Sequence, residues 1–336
     1  MPRAAGFVLL ACAALSLALE AAAATPRRHA TRRRPVPPPQ MVLPASASAR
    51  DLEVGEAARQ ALKGLAGAVV AMDPHTGRVI TAINPGLGVS RAFQPCSVFK
   101  IVVAVAGLSE GVLTPQTTYE CQRGCWLWPG HGTIDLRRAL AVSCNPFFEW
   151  VGERLGYPTL QRYAQRLGLG SPTGMNLPGE TPGILPSAVA PAAVGHLSSH
   201  AAGVTTSAVQ VAVMLSAMVN GGIVFQPQLA GPGAFQPRER WRLPPQTPLA
   251  QLTDGFLSAV NEGSAAAAFD AEVPVAGKTG TCSGVGWLAS YAPADRPELV
   301  LVVVVKPGSG HLASVVSSRI YQGLYKPAAV VTATGG

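Results

Sequence analysis

The sequence predicts one α/β domain of the α+β kind, with an antiparallel sheet assembled from both ends of the chain and helices on its two faces. β-type runs at opposite ends of the chain and a helical middle third carry that expectation. At the amino-terminal end, Leu65 to Met72 and Arg78 to Ile83 are apolar runs joined by the turn formers Asp73-Pro74-His75-Thr76-Gly77, which reads as a hairpin. At the other end, Pro274 to Thr281, Val285 to Tyr291 and Glu298 to Val305 alternate or run apolar with tight connections, giving three antiparallel strands. Between them, Ser97 to Leu108 reads as a buried helix with Pro95 before its start. Leu136 to Leu155 reads as one apolar-striped helical segment, Leu160 to Leu167 and Ala208 to Val219 as two more, and Leu312 to Tyr325 as a closing helix. At 336 residues, 48% of them hydrophobic and 13% charged, the chain has ample material for a core, and it shows no internal repeat.

Residues 1–24 have the pattern of a secretory signal peptide: Arg3, an apolar stretch from Ala4 to Leu19, and small residues at Ala21 to Ala24 for cleavage. The expected compartment is therefore extracytoplasmic, the periplasm or the outer face of the inner membrane. Leu9-Leu10-Ala11-Cys12 resembles a lipoprotein cleavage box and keeps lipidation of Cys12 as an alternative, with an uncleaved short anchor as another. Glu20 interrupts the apolar run short of the ~20 residues a spanning helix needs.

Residues 25–49 read as a linker. Arg27, Arg28, Arg32, Arg33 and Arg34 repel one another, and Pro35, Pro37, Pro38 and Pro39 favour extended backbone. These arginines hold most of the net charge of +8, so any electrostatic contact with anionic lipid or wall polymer is expected here. Nucleic acid is not an expected partner in this compartment. Residues 50–330 are expected to form the single folded domain, and 331–336 a tail.

With Cys12 in the signal, five cysteines remain: Cys96, Cys121, Cys125, Cys144 and Cys282. An odd number leaves at least one thiol free or paired between chains. Cys121 and Cys125 are the natural local disulfide pair in an oxidising compartment. A metal site using both with His131 is the weaker reading because the spacing offers no fourth ligand, and no metal or cofactor is expected. His131, His196, His200 and His311 lack an accompanying nucleophile-elbow pattern and read as loop or turn residues.

The chemistry concentrates in three short motifs. A serine hydroxyl needs a neighbouring base and donors for the oxyanion it creates. Ser97 and Lys100 stand three apart at a helix start, hence on one face, and Phe99, Ile101 and Val102 would strip solvent from Lys100 and favour its neutral form. Ser143-Cys144-Asn145 follows, and Lys278-Thr279-Gly280-Thr281 lies on the first C-terminal strand. Ser143 and Asn145 can relay a proton and hold a substrate amide. Lys278 offers charge to a carboxylate, with the hydroxyls of Thr279 and Thr281 beside it, and Gly280 lets a substrate backbone approach the strand. Cys96, Cys144 and Cys282 flank these motifs and read as small apolar packing residues.

The three motifs together are a known signature of serine acyltransferases that react with penicillin. On these residues, and on Gly130-His131-Gly132, Asp135 to Leu140, Ser143 to Phe148, Leu167 to Gly170, Pro172-Thr173-Gly174 and Leu177 to Glu180, the chain resembles the transpeptidase domain of class B penicillin-binding proteins, especially the elongation type, from about Leu65 to Ile320. The resemblance implies a serine β-lactamase/penicillin-binding transpeptidase-like fold and a D,D-transpeptidase acting on peptidoglycan stem peptides through an acyl-enzyme on Ser97. It also implies β-lactams as covalent inhibitors and an oxyanion hole formed by the backbone N–H groups of Ser97 and Thr281. Two departures stand out: the large amino-terminal pedestal domain is missing, and Gly195 to His200 lacks the glycine-glutamine-glycine usual in the family, which is expected to shape a different acceptor site. A D,D-carboxypeptidase and a class D-like β-lactamase are the competing enzyme readings, and a β-lactam or muropeptide sensor module is the non-enzymatic one.

Overall fold

A valine-rich strand near the end of the chain, Leu299–Val305, pairs antiparallel with Gly67–Met72 near its beginning, so the sheet is closed by the two ends of the domain. The computed structural model describes residues 36–229, 231 and 235–325. The expected signal peptide, Cys12, the arginine cluster and the tail after residue 330 lie outside the described residues.

In chain order the described strands are β1 (Met41–Val42), β2 (Gly67–Met72), β3 (Val79–Ile83), β4 (Tyr119–Cys121), β5 (Gly132–Ile134), β6 (Ile223–Phe225), β7 (Glu239–Arg242), β8 (Ala276–Cys282), β9 (Val285–Ala292) and β10 (Leu299–Val305). The helices are α1 (Ala49–Ala61), α2 (Pro85–Gly88), α3 (Lys100–Ser109), α4 (Leu136–Ala141), α5 (Asn145–Leu155), α6 (Tyr157–Arg166), α7 (Val194–His200), α8 (Ala208–Val219), α9 (Ala250–Glu262) and α10 (Gly310–Tyr325). The main sheet runs β1-β3-β2-β10-β9-β8, all neighbours antiparallel, and two small ribbons, β4-β5 and β6-β7, stand apart from it. The predicted hairpin is β2-β3 and the three predicted C-terminal strands are β8, β9 and β10.

Every residue of β10 is buried, which explains its unbroken apolar run: a strand covered on both faces needs no polar alternation. Val300, Val302 and Val304 join the core beneath α3, α5 and α8, while Leu301, Val303 and Val305 join a second core with Val54 and Ala58 of α1 and Val316 and Ile320 of α10. The sheet thus carries helices on both faces. Strand β8 lies at the sheet's edge, beside the turn that opens α3.

Three expectations are corrected. The segment from Leu136 to Leu155 is two helices, broken at residues 142–144, where Ser143 takes a left-handed conformation with φ 55°. The apolar stripe runs through the break because α4 and α5 pack on the same core, so periodicity alone could not detect it. Of the four histidines expected in loops or turns, His196 and His200 lie on α7 and His311 on α10; His131 is outside any helix or strand. The stretch read as linker holds β1, which pairs with β3, and the start of α1. Ser48 caps α1 in a capping box with Asp51, and the buried Asp51 carboxylate accepts two hydrogen bonds from Arg78, at 2.8 and 2.5 Å. Burial pushes the Asp51 pKa up, but the hydrogen bonds from Arg78 and Ser48 outweigh it and hold the carboxyl below its usual value.

Candidate active site

The chain approaches α3 through a single 3-10 turn, Cys96–Phe99, so the side chains of Ser97 and Lys100, three apart, lie nearly eclipsed on one side. The rest of α3 is apolar all round and sunk in the core, which carries Lys100 with it to 0% exposure. Burial lowers the Lys100 pKa from its ordinary value to about 7. Its amine finds four acceptors: Asn145 Oδ1 at 2.6 Å, the Ser143 carbonyl at 2.8 Å, Ser143 Oγ at 3.0 Å and Ser97 Oγ at 3.2 Å. The left-handed kink at Ser143 turns both the carbonyl and the hydroxyl of one residue toward that amine.

Lys278 arrives from β8. Its Nζ donates to Ser143 Oγ at 2.9 Å and to the Thr279 carbonyl at 3.2 Å, so the two amines share one hydroxyl. Burial, and then the positive charge of Lys100, lower the Lys278 pKa well below its usual value. Five predicted residues, Ser97, Lys100, Ser143, Asn145 and Lys278, thus form one connected cluster. Thr279 and Thr281 point their hydroxyls into the scaffold: Thr279 to Ser264 Oγ at 3.0 Å, and Thr281 accepting from the Gly310 N–H at 2.7 Å. Gly280, which the sequence reading assigned to substrate approach, also has a packing reason. A Cβ there would stand 2.5 Å from the Pro95 carbonyl oxygen and 3.1 Å from Val98, because β8 runs against the Cys96–Phe99 turn.

The cysteines rearrange the sequence expectation. The disulfide joins Cys96 to Cys282, with Cα atoms 5.8 Å apart across 186 residues of chain, and Cys121 does not pair with Cys125. Cys121 and Cys125 instead turn toward His131 Nδ1, at 3.5 and 3.2 Å, and toward Cys144, whose Sγ lies 3.3 Å from Cys121 Sγ and 4.0 Å from Cys125 Sγ. These four ligand atoms lie within 4.8 Å of one another. Zinc–sulfur bonds of about 2.3 Å at tetrahedral angles place sulfurs just under 4 Å apart, so three cysteines and one histidine fit a closed structural zinc site. The fourth ligand of such a site would be Cys144, inside the second motif and hidden from local spacing by intervening chain. Burial raises the Cys144 thiol far above its usual range, a cost that coordination to a metal would remove.

Sequence reasoning also missed His200. Its Nε2 lies 3.2 Å from Asn145 Nδ2 and its Nδ1 2.6 Å from Ser199 Oγ, which in turn donates to Glu149 Oε1 at 2.8 Å. The only available signal was the departing stretch Gly195 to His200.

Stage V sporulation protein D of Bacillus subtilis is 29% identical to this chain over 298 aligned positions, covering 72% of the chain and 45% of that protein. The peptidoglycan D,D-transpeptidase MrdA of Haemophilus influenzae is 29% identical over 343, covering 77% of the chain and 52% of that protein. The chain therefore spans about half the length of these curated relatives. The transpeptidase domain of Burkholderia pseudomallei penicillin-binding protein 3 shares the fold, with a TM-score of 0.75 at 20% identity, covering 83% of this chain and 95% of that one. Residues 67–326 match the model of the penicillin binding protein transpeptidase domain, and the chain belongs to that family.

Proposed function

We propose that this protein is a serine D,D-transpeptidase of peptidoglycan stem peptides, with Ser97 as nucleophile and Lys100 as its base. One observation carries the reading. A neutral Lys100 amine has two hydrogens and one lone pair. Asn145 Oδ1 and the Ser143 carbonyl, its two shortest partners, can only accept, and they take the hydrogens. The lone pair is left for a hydroxyl, and two are in reach, Ser143 Oγ at 3.0 Å and Ser97 Oγ at 3.2 Å. Burial supplies the neutral form near pH 7.

In the proposed reaction, Ser97 Oγ attacks the carbonyl of the penultimate D-alanine while its proton passes to Lys100. The backbone N–H groups of Ser97 and Thr281 hold the oxyanion. Collapse breaks the peptide bond, and the departing amine of the last D-alanine takes a proton through Ser143 Oγ, which both lysines contact. An amine of a neighbouring stem then attacks the ester and restores the Ser97 hydroxyl. Asn145 holds the donor amide. Lys278, its ammonium disfavoured by burial and by Lys100, gains its charge as the substrate carboxylate arrives beside Thr279, Gly280 and Thr281. β-Lactams are expected to acylate Ser97 as donor mimics.

The relatives' cell-wall role supports an extracytoplasmic site of action, and we extend it to a cleaved signal at residues 1–24, with Cys12 lipidation as the alternative, and an arginine-rich linker that meets anionic lipid or wall polymer. No helix among the described residues is long and apolar enough to cross a membrane. The test is the intact mass of the protein and of Ser97→Ala after exposure to a labelled penicillin. A lasting adduct on the unaltered protein alone supports the reading. Rapid turnover of the drug makes the protein a β-lactamase, and no adduct overturns acylation on Ser97.

A further inference from the structure

We propose that His200 is a positioning residue for acylation: through one directed chain of hydrogen bonds it fixes the amide of Asn145 and thereby aims the lone pair of Lys100 at Ser97. The inference rests on the proposed acylation of Ser97 and adds a residue to it.

The direction of the chain follows from counting hydrogens. Ser199 Oγ has one hydrogen and three neighbours: Glu149 Oε1 at 2.8 Å, the His196 carbonyl at 3.3 Å and His200 Nδ1 at 2.6 Å. The carboxylate and the carbonyl can only accept, so the Ser199 hydrogen goes to one of them and Ser199 Oγ accepts from His200. His200 Nδ1 therefore carries the imidazole hydrogen, and Nε2 is bare. A bare Nε2 at 3.2 Å is an acceptor for the Asn145 amide nitrogen, which turns Oδ1 toward Lys100 at 2.6 Å.

Reversing the Asn145 amide would place its NH2 against the Lys100 amine. The lone pair of neutral Lys100 would then accept from Asn145, and Ser97 would lose its base. His200 prevents this because a reversed amide would set Asn145 Oδ1 against bare Nε2, acceptor against acceptor. The groups facing His200 suit a neutral ring. Burial, then His196 stacked at 4.5 Å between centroids, and Lys100 whenever it is protonated disfavour its protonation, against Glu149 and the His196 backbone. Glu153 lies on the same helix as Glu149 and faces α7 at Gly195.

Three variants and one spectrum test the assignment. His200→Phe keeps an aromatic ring without an acceptor, His200→Gln restores an acceptor near the Nε2 position, and Ser199→Ala releases the tautomer. The expected penicillin acylation rate falls roughly 10- to 100-fold in His200→Phe, as for a misaligned catalytic group, and returns to within about threefold in His200→Gln. Ser199→Ala falls between them. Equal rates in Phe and Gln, at matched melting temperature, overturn the assignment. Nitrogen chemical shifts of His200 in the unaltered protein report the tautomer without any acylation. The Nδ1–H form is expected, and the Nε2–H form overturns the chain of bonds even if Ser97 acylates. A protein that shows the Nδ1–H form yet never acylates refutes the proposed function and with it the positioning role.

Discussion

Cys96 and Cys282 are covalently joined across 186 residues, and the bond ties the residue before Ser97 to the last residue of β8, next to Thr281. Both sides of the candidate cleft are therefore set by one crosslink, close to where β8 already presses on the nucleophile turn. Replacing both cysteines by serine is expected to lower stability by about 2 to 5 kcal/mol, the range for loss of a native disulfide closing a long loop. It should also slow acylation, since the spacing of Ser97 and Thr281 would then rest on packing alone. Urea unfolding and the penicillin acylation rate measure the two effects, and unchanged values of both would show the crosslink to be dispensable.

Lys100 makes acylation sensitive to pH. Its pKa is lowered to about 7 in the folded protein, and in the proposed reaction the neutral amine is the base. The rate should therefore rise with pH below that value and level off above it. Lys100→Arg, which stays charged throughout, should lose on the order of 10²- to 10⁴-fold and show no rise. A rate for the unaltered protein that is flat from pH 5 to roughly 8, far from any unperturbed lysine pKa, would assign the proton to another group.

The main strands, the first hairpin and a sheet shared by both chain ends were legible because each β-type run is flanked by turn formers; the strand order, with β10 paired to β2 at the centre, was not. The three motifs were legible as residue types at local spacing. What escaped were relationships set by tertiary packing. The kink at Ser143 leaves no trace in an apolar stripe that faces one core on both sides of it. Cys144 lies 13 residues beyond His131 but meets it only because α4 lies between them, and Cys96 finds Cys282 only because β8 runs beside the turn that opens α3. His200 looked like one of several isolated histidines until α7 placed it against α5.

Gly280 should tolerate no side chain. Gly280→Ala puts a methyl 2.5 Å from the Pro95 carbonyl, a backbone atom held by the Cys96 crosslink, so β8 or the nucleophile turn must shift. Overpacking of this kind costs about 1 to 3 kcal/mol. Because the displaced elements carry Lys278 and Ser97, acylation should fall by more than the stability loss explains. A variant with a lowered melting temperature but the original acylation rate would show that the strand relaxes away from the cleft.

Metal content is the remaining test, and the position of Cys144 between Ser143 and Asn145 makes it a test of the active site as well. Protein prepared without chelator should carry about one zinc per chain, held by Cys121, Cys125, His131 and Cys144. Cys125→Ser should lose most of it while leaving the buried pair of Cys121 and Cys144 in place. Four ligands from a loop, a ribbon and the second motif would be released together, so chelation should lower the melting temperature and slow acylation through the loosened kink at Ser143. Zinc added back should restore both. Stoichiometric metal with unchanged acylation after its removal would confine the site to scaffolding. Protein free of metal, with a melting temperature indifferent to added zinc, would mean that the three thiols and His131 pack together without an ion.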